Sequence, residues 1–329
     1  MNKKLRILSL FSGIGAFEKA LSNLQVNFEL VNYCEVDKYA SKAYSMLHNV
    51  KECCNIGDIN SVNEKLLSDF DLMTYGFPCQ SFSIAGNKLG FEDKERGNLF
   101  FESMRIAAYK QPSFMIAENV KGLLHHDKGR TFKTVLDTLE KIGYNNYYQV
   151  LNSCDYGVAQ SRERIFIVSI RKDIDTKQFE FPNKQKLDKT VVDILDNTER
   201  NRYIDKTLLQ YCTQEYLKEY KGRNGIKKLF DGNSQGYFSS DYAGKRIYSI
   251  HGNAPTLTTR GKITFFEIQG QLNELELFRL QGFEDEDYYK LKNCFSKTQL
   301  RKMAGNSITV NVIEKILENL LTAQSYISK

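Results

Sequence analysis

The chain has 329 residues, 41% of them hydrophobic and 26% charged, which allows a large buried core and exceeds the usual size of one domain. No apolar run approaches the roughly 20 residues of a membrane helix, and the basic start Met1-Asn2-Lys3-Lys4 leads into a run broken by Arg6, Ser9 and Ser12, a strand rather than a signal peptide, so a cytoplasmic protein is expected. Residues 176–262 hold 16 Lys and Arg against 10 Asp and Glu, the whole net charge of +6; charge gathered in this way points to a polyanion, although a solvated lysine-rich face has the same count.

Leu5 to Phe11 reads as a buried strand and Ala16 to Leu24 as the helix after it. Between them Phe11-Ser12-Gly13-Ile14-Gly15 forms a strand-to-helix turn, where glycines let a ligand approach the backbone opposite a helix N-terminus. A second strand, Phe28 to Val36, carries Glu35 at 20 residues beyond Gly15, the spacing at which a carboxylate reaches ribose hydroxyls. Glu18 stands where the third glycine of a dinucleotide fingerprint belongs, so a nucleoside without phosphates fits better. By itself this pattern equally describes a tight turn with a surface glutamate. A helix from Asp37 to Leu47 follows, then Gly57-Asp58-Ile59, where Asp58 either accepts from an adenine amino group or caps a turn.

Asp71 to Tyr75 is a strand leading into Gly76-Phe77-Pro78-Cys79-Gln80-Ser81-Phe82-Ser83 and a glycine-dotted, charged loop as far as Gly97. Pro78 holds Phe77 extended, which directs Cys79 at the end of a strand. Isolated cysteines are usually core packing, but this loop setting favours a nucleophile. Leu99 to Lys110 is an amphipathic helix, and Ser113 to Ala117 an apolar strand running into Glu118-Asn119-Val120. Burying that polar pair is costly unless it is partnered or used. His125 and His126 read as a solvated loop. Thr131 to Ile142 is a helix, Tyr147 to Ser153 a strand, and Gln160-Ser161-Arg162-Glu163-Arg164 precedes the strand Ile165 to Ile170, with alternation sending Arg162 and Arg164 to one side. Strands alternating with helices through residue 170 predict an α/β fold with a doubly wound, mostly parallel sheet.

Beyond Lys177 the periodic signals weaken. Lys221-Gly222-Arg223-Asn224-Gly225 and Asp231-Gly232-Asn233-Ser234-Gln235-Gly236 are glycine-rich loops with side chains suited to reading base edges. Pro255 to Thr259 reads as structural, and Ala304-Gly305-Asn306-Ser307 as the cap of a final helix, Ile308 to Leu321. The seven cysteines include no CxxC pair and suggest neither disulfides nor zinc, so no metal is expected.

The order FSGIG, Glu35, GDI, GFPCQSFS, RGNLFFE, AENVKGL, QSRERIFIV, APTLTT and AGNSITV resembles the DNA cytosine-5 methyltransferases, most closely the compact bacterial and phage restriction–modification type. The resemblance covers nearly the whole chain outside the basic window. It implies S-adenosylmethionine as cofactor, double-stranded DNA as partner, a base flipped from the duplex and methyl transfer to cytosine C5. It implies a Rossmann-like catalytic domain of residues 1–178 and 296–329, with a target-recognition domain and hinge in 179–295. Carried over by position, Cys79 is the nucleophile, Glu118 meets the cytosine N3 edge and Arg164 donates to O2, with Asn119 and Arg162 in the same catalytic segments. Phe11, Gly13, Gly15, Glu35, Asp58, Ile59, Pro78 and Asn306 are the implied cofactor contacts. A monomer is expected, with a restriction endonuclease as a functional rather than physical companion. The requirement for a protonated Glu118 at N3 leads to the expectation that burial raises its pKa.

Three other readings compete. An RNA cytosine-5 methyltransferase on the same scaffold would carry a Cys-Phe-Thr stretch, and only Cys212-Thr213-Gln214 comes near it. A non-catalytic DNA-binding relative would not need Cys79, Glu118 and Arg164 together. A dinucleotide oxidoreductase conflicts with Glu18.

Overall fold

Continuous apolar runs make strands that need cover on both faces, and Leu5–Leu10 (β1), Leu72–Tyr75 (β3) and Phe114–Val120 (β4) are such runs, buried over most of their length. In the computed structural model, which describes residues 4–78, 99–185, 189–198, 224–232 and 246–326, they join Phe28–Cys34 (β2), Tyr144–Asn152 (β5) and Glu163–Arg171 (β6) in one sheet of order β2-β1-β3-β4-β6-β5. The first four strands of that order run parallel, and β6 runs antiparallel to β4. The fold is thus α/β and doubly wound with a mostly parallel sheet. Strand–helix alternation stops at β5, because a single 3-10 turn, Ser153–Tyr156, is all that leads from it to β6.

Helices Ala16–Asn23 (α1), Lys38–His48 (α2), Leu99–Lys110 (α3) and Arg130–Lys141 (α4) connect these strands. Period-2 alternation gives each strand two apolar faces. On one face Leu8, Leu10, Met73, Tyr75, Met115, Ala117, Ile165 and Ile167 pack with Phe100, Met104 and Ala107 of α3 and Val135 and Leu139 of α4. Helix α1 lies beside the chain's last helix, to which Asn23 donates at Glu314 (2.5 Å).

The chain forms two compact units. The first comprises residues 1–151, 163–182 and 313–329, and the second 152–162 and 183–312. The second unit contains a four-stranded sheet, Gly270–Gln271 (β10), Thr264–Phe265 (β9), Arg246–Tyr248 (β8) and Lys228–Asp231 (β7), in that order. Its helices among the described residues include Glu274–Arg279 (α5), Asp285–Leu291 (α6) and Lys297–Asn306 (α7), the last begun by a Ser296–Gln299 capping box. The final helix is Val310–Ala323 (α8). Ala304 to Asn306 do not cap it, contrary to the sequence reading. They close the last turn of α7, with Ser307 as its C-cap, because the apolar spacing of Leu300, Met303 and Ala304 extends that helix.

Phe100 is fully buried, with its ring centroid 5.2 Å from that of Phe77. Phe100→Ala should destabilise the first unit by about 3–5 kcal/mol, read as a lower urea midpoint.

Candidate active site

Leu10 is paired with both Cys34 and Tyr75, and Tyr75 with Ala117, so the C-terminal ends of β1, β2 and β3 finish level and β4 runs on beyond them as Glu118-Asn119-Val120. Ligand crevices of open α/β sheets lie outside such ends where the strand order reverses, here between β1 and β3. The Phe11–Gly15 turn follows β1, Glu35 follows β2, Gly76-Phe77-Pro78 follows β3, and Glu118-Asn119 end β4. One edge of the sheet thus collects most of the residues singled out in the sequence.

The turn after β1 is held by Glu35. Its Oε2 accepts from Gly13 N–H (2.9 Å) and its Oε1 from Asp37 N–H (2.8 Å). Burial pushes the Glu35 carboxyl above its ordinary pKa, and the hydrogen bonds from Asp37 and Gly13 oppose that. Phe11 and Gly13 have positive φ (53° and 57°), as does Gly15 (82°). A Cβ on Gly15 would stand 2.1 Å from His48 Nε2, itself 3.0 Å from the Ile14 carbonyl oxygen, so only glycine fits there. A Cβ on Gly13 or Gly57 would meet nothing within 4 Å: these backbones face open space.

Glu18 departs from expectation. It is 1% exposed and turns inward to Tyr44, because it shares the buried side of α1 with Phe17 and Leu21. It is therefore no surface carboxylate at the turn. Asp58 is exposed and its Oδ1 caps the 3-10 turn Ile59–Ser61 through Asn60 N–H (3.0 Å). Ile59 is a core residue whose carbonyl accepts from Arg105 Nη2 (3.3 Å). Val36, 74% exposed beside Glu35, is a bare apolar surface that sequence reasoning passed over. The open glycine backbones, the half-buried carboxylate and this apolar surface fit a nucleoside-bearing cofactor such as S-adenosylmethionine.

Across the crevice, Glu118 sits directly opposite Phe166 in the β4–β6 ladder and Val120 opposite Arg164, which makes Arg164 the diagonal neighbour of Glu118 on one face. Arg164 Nε lies 3.0 Å from Glu118 Oε1, and Arg164 Nη1 donates to the Glu163 carbonyl (2.8 Å). The charge environment of Glu118 is thus an ion pair as well as burial. Asn119, 4% exposed, donates from Nδ2 to the Phe77 carbonyl (2.8 Å) and accepts at Oδ1 from Val120 N–H (2.8 Å). One amide therefore ties the end of β4 to the backbone two residues before Cys79. Pro78 is exposed; Cys79 itself lies outside the described residues.

Arg162 and Arg164 have different partners: β6 begins at Glu163, which leaves Arg162 in irregular backbone just before the strand. The Arg162 guanidinium, 4% exposed, donates from Nη1 to the Leu257 carbonyl (3.0 Å) and from Nη2 to the Ser307 (2.9 Å) and Gly305 (3.4 Å) carbonyls. It locks the Pro255–Thr259 segment and the end of α7 within the second unit. Asn306, the last residue of α7, is exposed. The reading loops at 221–223 and 233–236 lie outside the described residues, whereas Asn224 Nδ2 donates to Ser161 Oγ (3.2 Å). Among the described residues no group of His, Cys, Asp and Glu could hold a metal ion, and no helix is long and apolar enough to cross a membrane.

An α/β sheet with a glycine turn, an acidic residue after the second strand and a carboxylate–guanidinium pair beyond the crevice suits an enzyme that takes a nucleoside-bearing cofactor. The family model for C-5 cytosine-specific DNA methylases matches residues 5–322, and the chain belongs to that family. Similar proteins include the orphan methyltransferase M.SPRI of Bacillus phage SPR, 32% identical over 99% of both chains. The type II methyltransferase M.HhaI of Haemophilus parahaemolyticus is 36% identical over 96% of this chain and 94% of its own. In fold, the chain resembles the S. pombe Dnmt2 methyltransferase, with a TM-score of 0.69 at 20% identity over 97% of this chain and 98% of that one.

Replacing Arg162 with Met removes the donors for three carbonyls. The cost should be about 3 kcal/mol or more, seen as a lower melting temperature of the second unit.

Proposed function

We propose that this enzyme methylates C5 of a cytosine flipped out of double-stranded DNA, at a specific sequence, through a covalent bond from Cys79 to C6. The observation that carries this reading is the Arg164 Nε–Glu118 Oε1 pair at 3.0 Å, adjacent in sequence to the Asn119 amide that fixes the Phe77 carbonyl. A carboxylate and a guanidinium side by side match the N3 and O2 edge of a pyrimidine, and the fixed backbone leads directly to the Cys79 position.

Cytosine C5 is a weak nucleophile. Addition of the Cys79 thiolate to C6 makes the ring an enamine that attacks from C5. The thiol must lose its proton first, since an ordinary cysteine is mostly neutral at pH 7. Glu118 keeps a proton at N3 while Arg164 balances the negative charge growing at O2; the pair separates onto the two atoms as the base enters. Asn119 sets the approach of the segment from Phe77 onward. The C5 proton then leaves to a base, for which water is a candidate, and Cys79 is eliminated from C6.

S-adenosylmethionine, when bound, supplies an electrophilic methyl on a sulfonium. Glu35 would hold its ribose and Asp58 its adenine amino group, with Phe11, Gly13, Gly15, Ile59, Pro78 and Asn306 completing the contacts. Base flipping costs a few kcal/mol; the glycine- and charge-rich stretch Gln80 to Arg96, which the sequence suits to covering the flipped base, lies outside the described residues. Residues 1–178 with 296–329 form the catalytic part in this reading and 179–295 the target-recognition part. The protein acts as a monomer in the cytoplasm, and a cognate restriction endonuclease, where one accompanies it, is a functional rather than a physical companion.

Cys79→Ala should abolish methyl transfer while leaving S-adenosylhomocysteine binding intact. Wild-type enzyme should form a covalent adduct with a 5-fluorocytosine oligonucleotide, visible as a gel shift under denaturing conditions; full turnover by Cys79→Ala would refute the nucleophile. Neutralising Lys and Arg within 176–262 should weaken DNA binding at low salt, and the difference should shrink as salt rises. A salt-independent loss would count against phosphate contacts there.

A further inference from the structure

The cofactor reading leaves a question of support: what fixes Glu35 relative to the Gly57–Asp58 turn, which belongs to a separate stretch of chain. One side chain bridges them. Asn55 Oδ1 accepts from Glu35 N–H (3.1 Å) and from Gly57 N–H (2.9 Å). Its Nδ2 donates to the Glu35 carbonyl (2.8 Å) and to Ser41 Oγ (2.9 Å). The amide orientation is not arbitrary, because backbone N–H groups only donate and a carbonyl only accepts.

Both peptide groups of Glu35 are therefore held, along with the N–H one residue before Asp58. An amide is the side chain suited to this place. Aspartate lacks the donors and serine offers only one. The bridge is itself anchored, since Tyr33 OH lies 3.0 Å from both Ser41 Oγ and Ser45 Oγ, deep between β2 and α2. Ile56 N–H donates to the Tyr33 carbonyl (2.8 Å), and Cys34 Sγ donates to the Gly57 carbonyl (2.8 Å). Burial pushes the Cys34 thiol up to about 12, so it remains a neutral donor.

We propose that Asn55 is a positioning residue for cofactor binding: it sets the separation of the Glu35 carboxylate and the Gly57–Asp58 turn so that one nucleoside meets both. The assignment rests on the reading of those two segments as the cofactor's ribose and base contacts. Asn55 does not touch the cofactor. It fixes the distance between two groups that do, and a nucleoside is too rigid to adapt to a changed spacing.

The test compares Asn55→Ala and Asn55→Asp with Asn32→Ala, which removes an Nδ2 hydrogen bond to the Cys54 carbonyl (3.2 Å) between the same strand and loop but touches neither Glu35 nor Gly57. S-adenosylhomocysteine binding is measured by calorimetry without DNA, well below each variant's melting temperature. The KM for S-adenosylmethionine and the kcat of methyl transfer are measured in parallel. Asn55→Ala should weaken binding about tenfold or more, equal to about 1.4 kcal/mol, and raise that KM with kcat little changed. Asn32→Ala should lose melting temperature but keep its affinity. If Asn55→Ala does not fold, Asn55→Asp carries the comparison, because it keeps both N–H acceptors and loses both donors. Wild-type affinity in the Asn55 variants, or an equal loss in Asn32→Ala, overturns the proposal. Wild-type protein that binds no S-adenosylhomocysteine would instead overturn the cofactor reading beneath it.

Discussion

Parallel pairing of β2, β1, β3 and β4 in level register is the constraint from which the site follows. Strands about 4.8 Å apart that end together must release their loops along a single edge. Residues far apart in sequence, such as Gly13, Glu35, Pro78 and Glu118, meet there because backbone ladders leave them no alternative. The antiparallel β6 adds what a parallel strand would not: its first residues, rather than its last, arrive at this edge, and Arg164 is among them.

The two sides of the crevice are built on different principles. Beside β1 and β2, a carboxylate and an amide organise backbone: Glu35 grips Gly13, and Asn55 grips Glu35 and Gly57. Each hydrogen bond is modest in isolation, but together they fix turns whose glycines carry no side chain to pack. On the other side, charge is prominent: Glu118 and Arg164 are largely shielded from water and matched to each other.

Much of this was legible in the chain. Hydrophobic runs and the α/β alternation located β1 to β4 and α1 to α4, since those signals come from local patterning. The Glu118-Asn119 pair stood out because polar residues ending an apolar strand need a reason. What escaped notice was long-range or dependent on exact strand limits. Nothing around Asn55 marks it, because its partners Glu35 and Ser41 lie up to 20 residues away and act mainly through backbone atoms. The hold of Arg162 on three carbonyls lies just before β6, beyond what strand alternation describes. The inward turn of Glu18 follows from the phase of α1, which a glycine fingerprint does not report. Val36 gave only the weak signal of a lone exposed apolar residue.

The first unit draws on the beginning of the chain, a middle stretch and residues 313–329. Within it Ile313, Ile316, Leu317, Leu320 and Leu321 of α8 are fully buried. On the ribosome, where domains ordinarily fold in the order they emerge, this unit stays unfinished until synthesis reaches α8. Its sheet waits with one apolar flank uncovered while more than a hundred residues of the second unit are translated. Premature termination between residues 182 and 313 would therefore yield a sticky fragment rather than a smaller working enzyme.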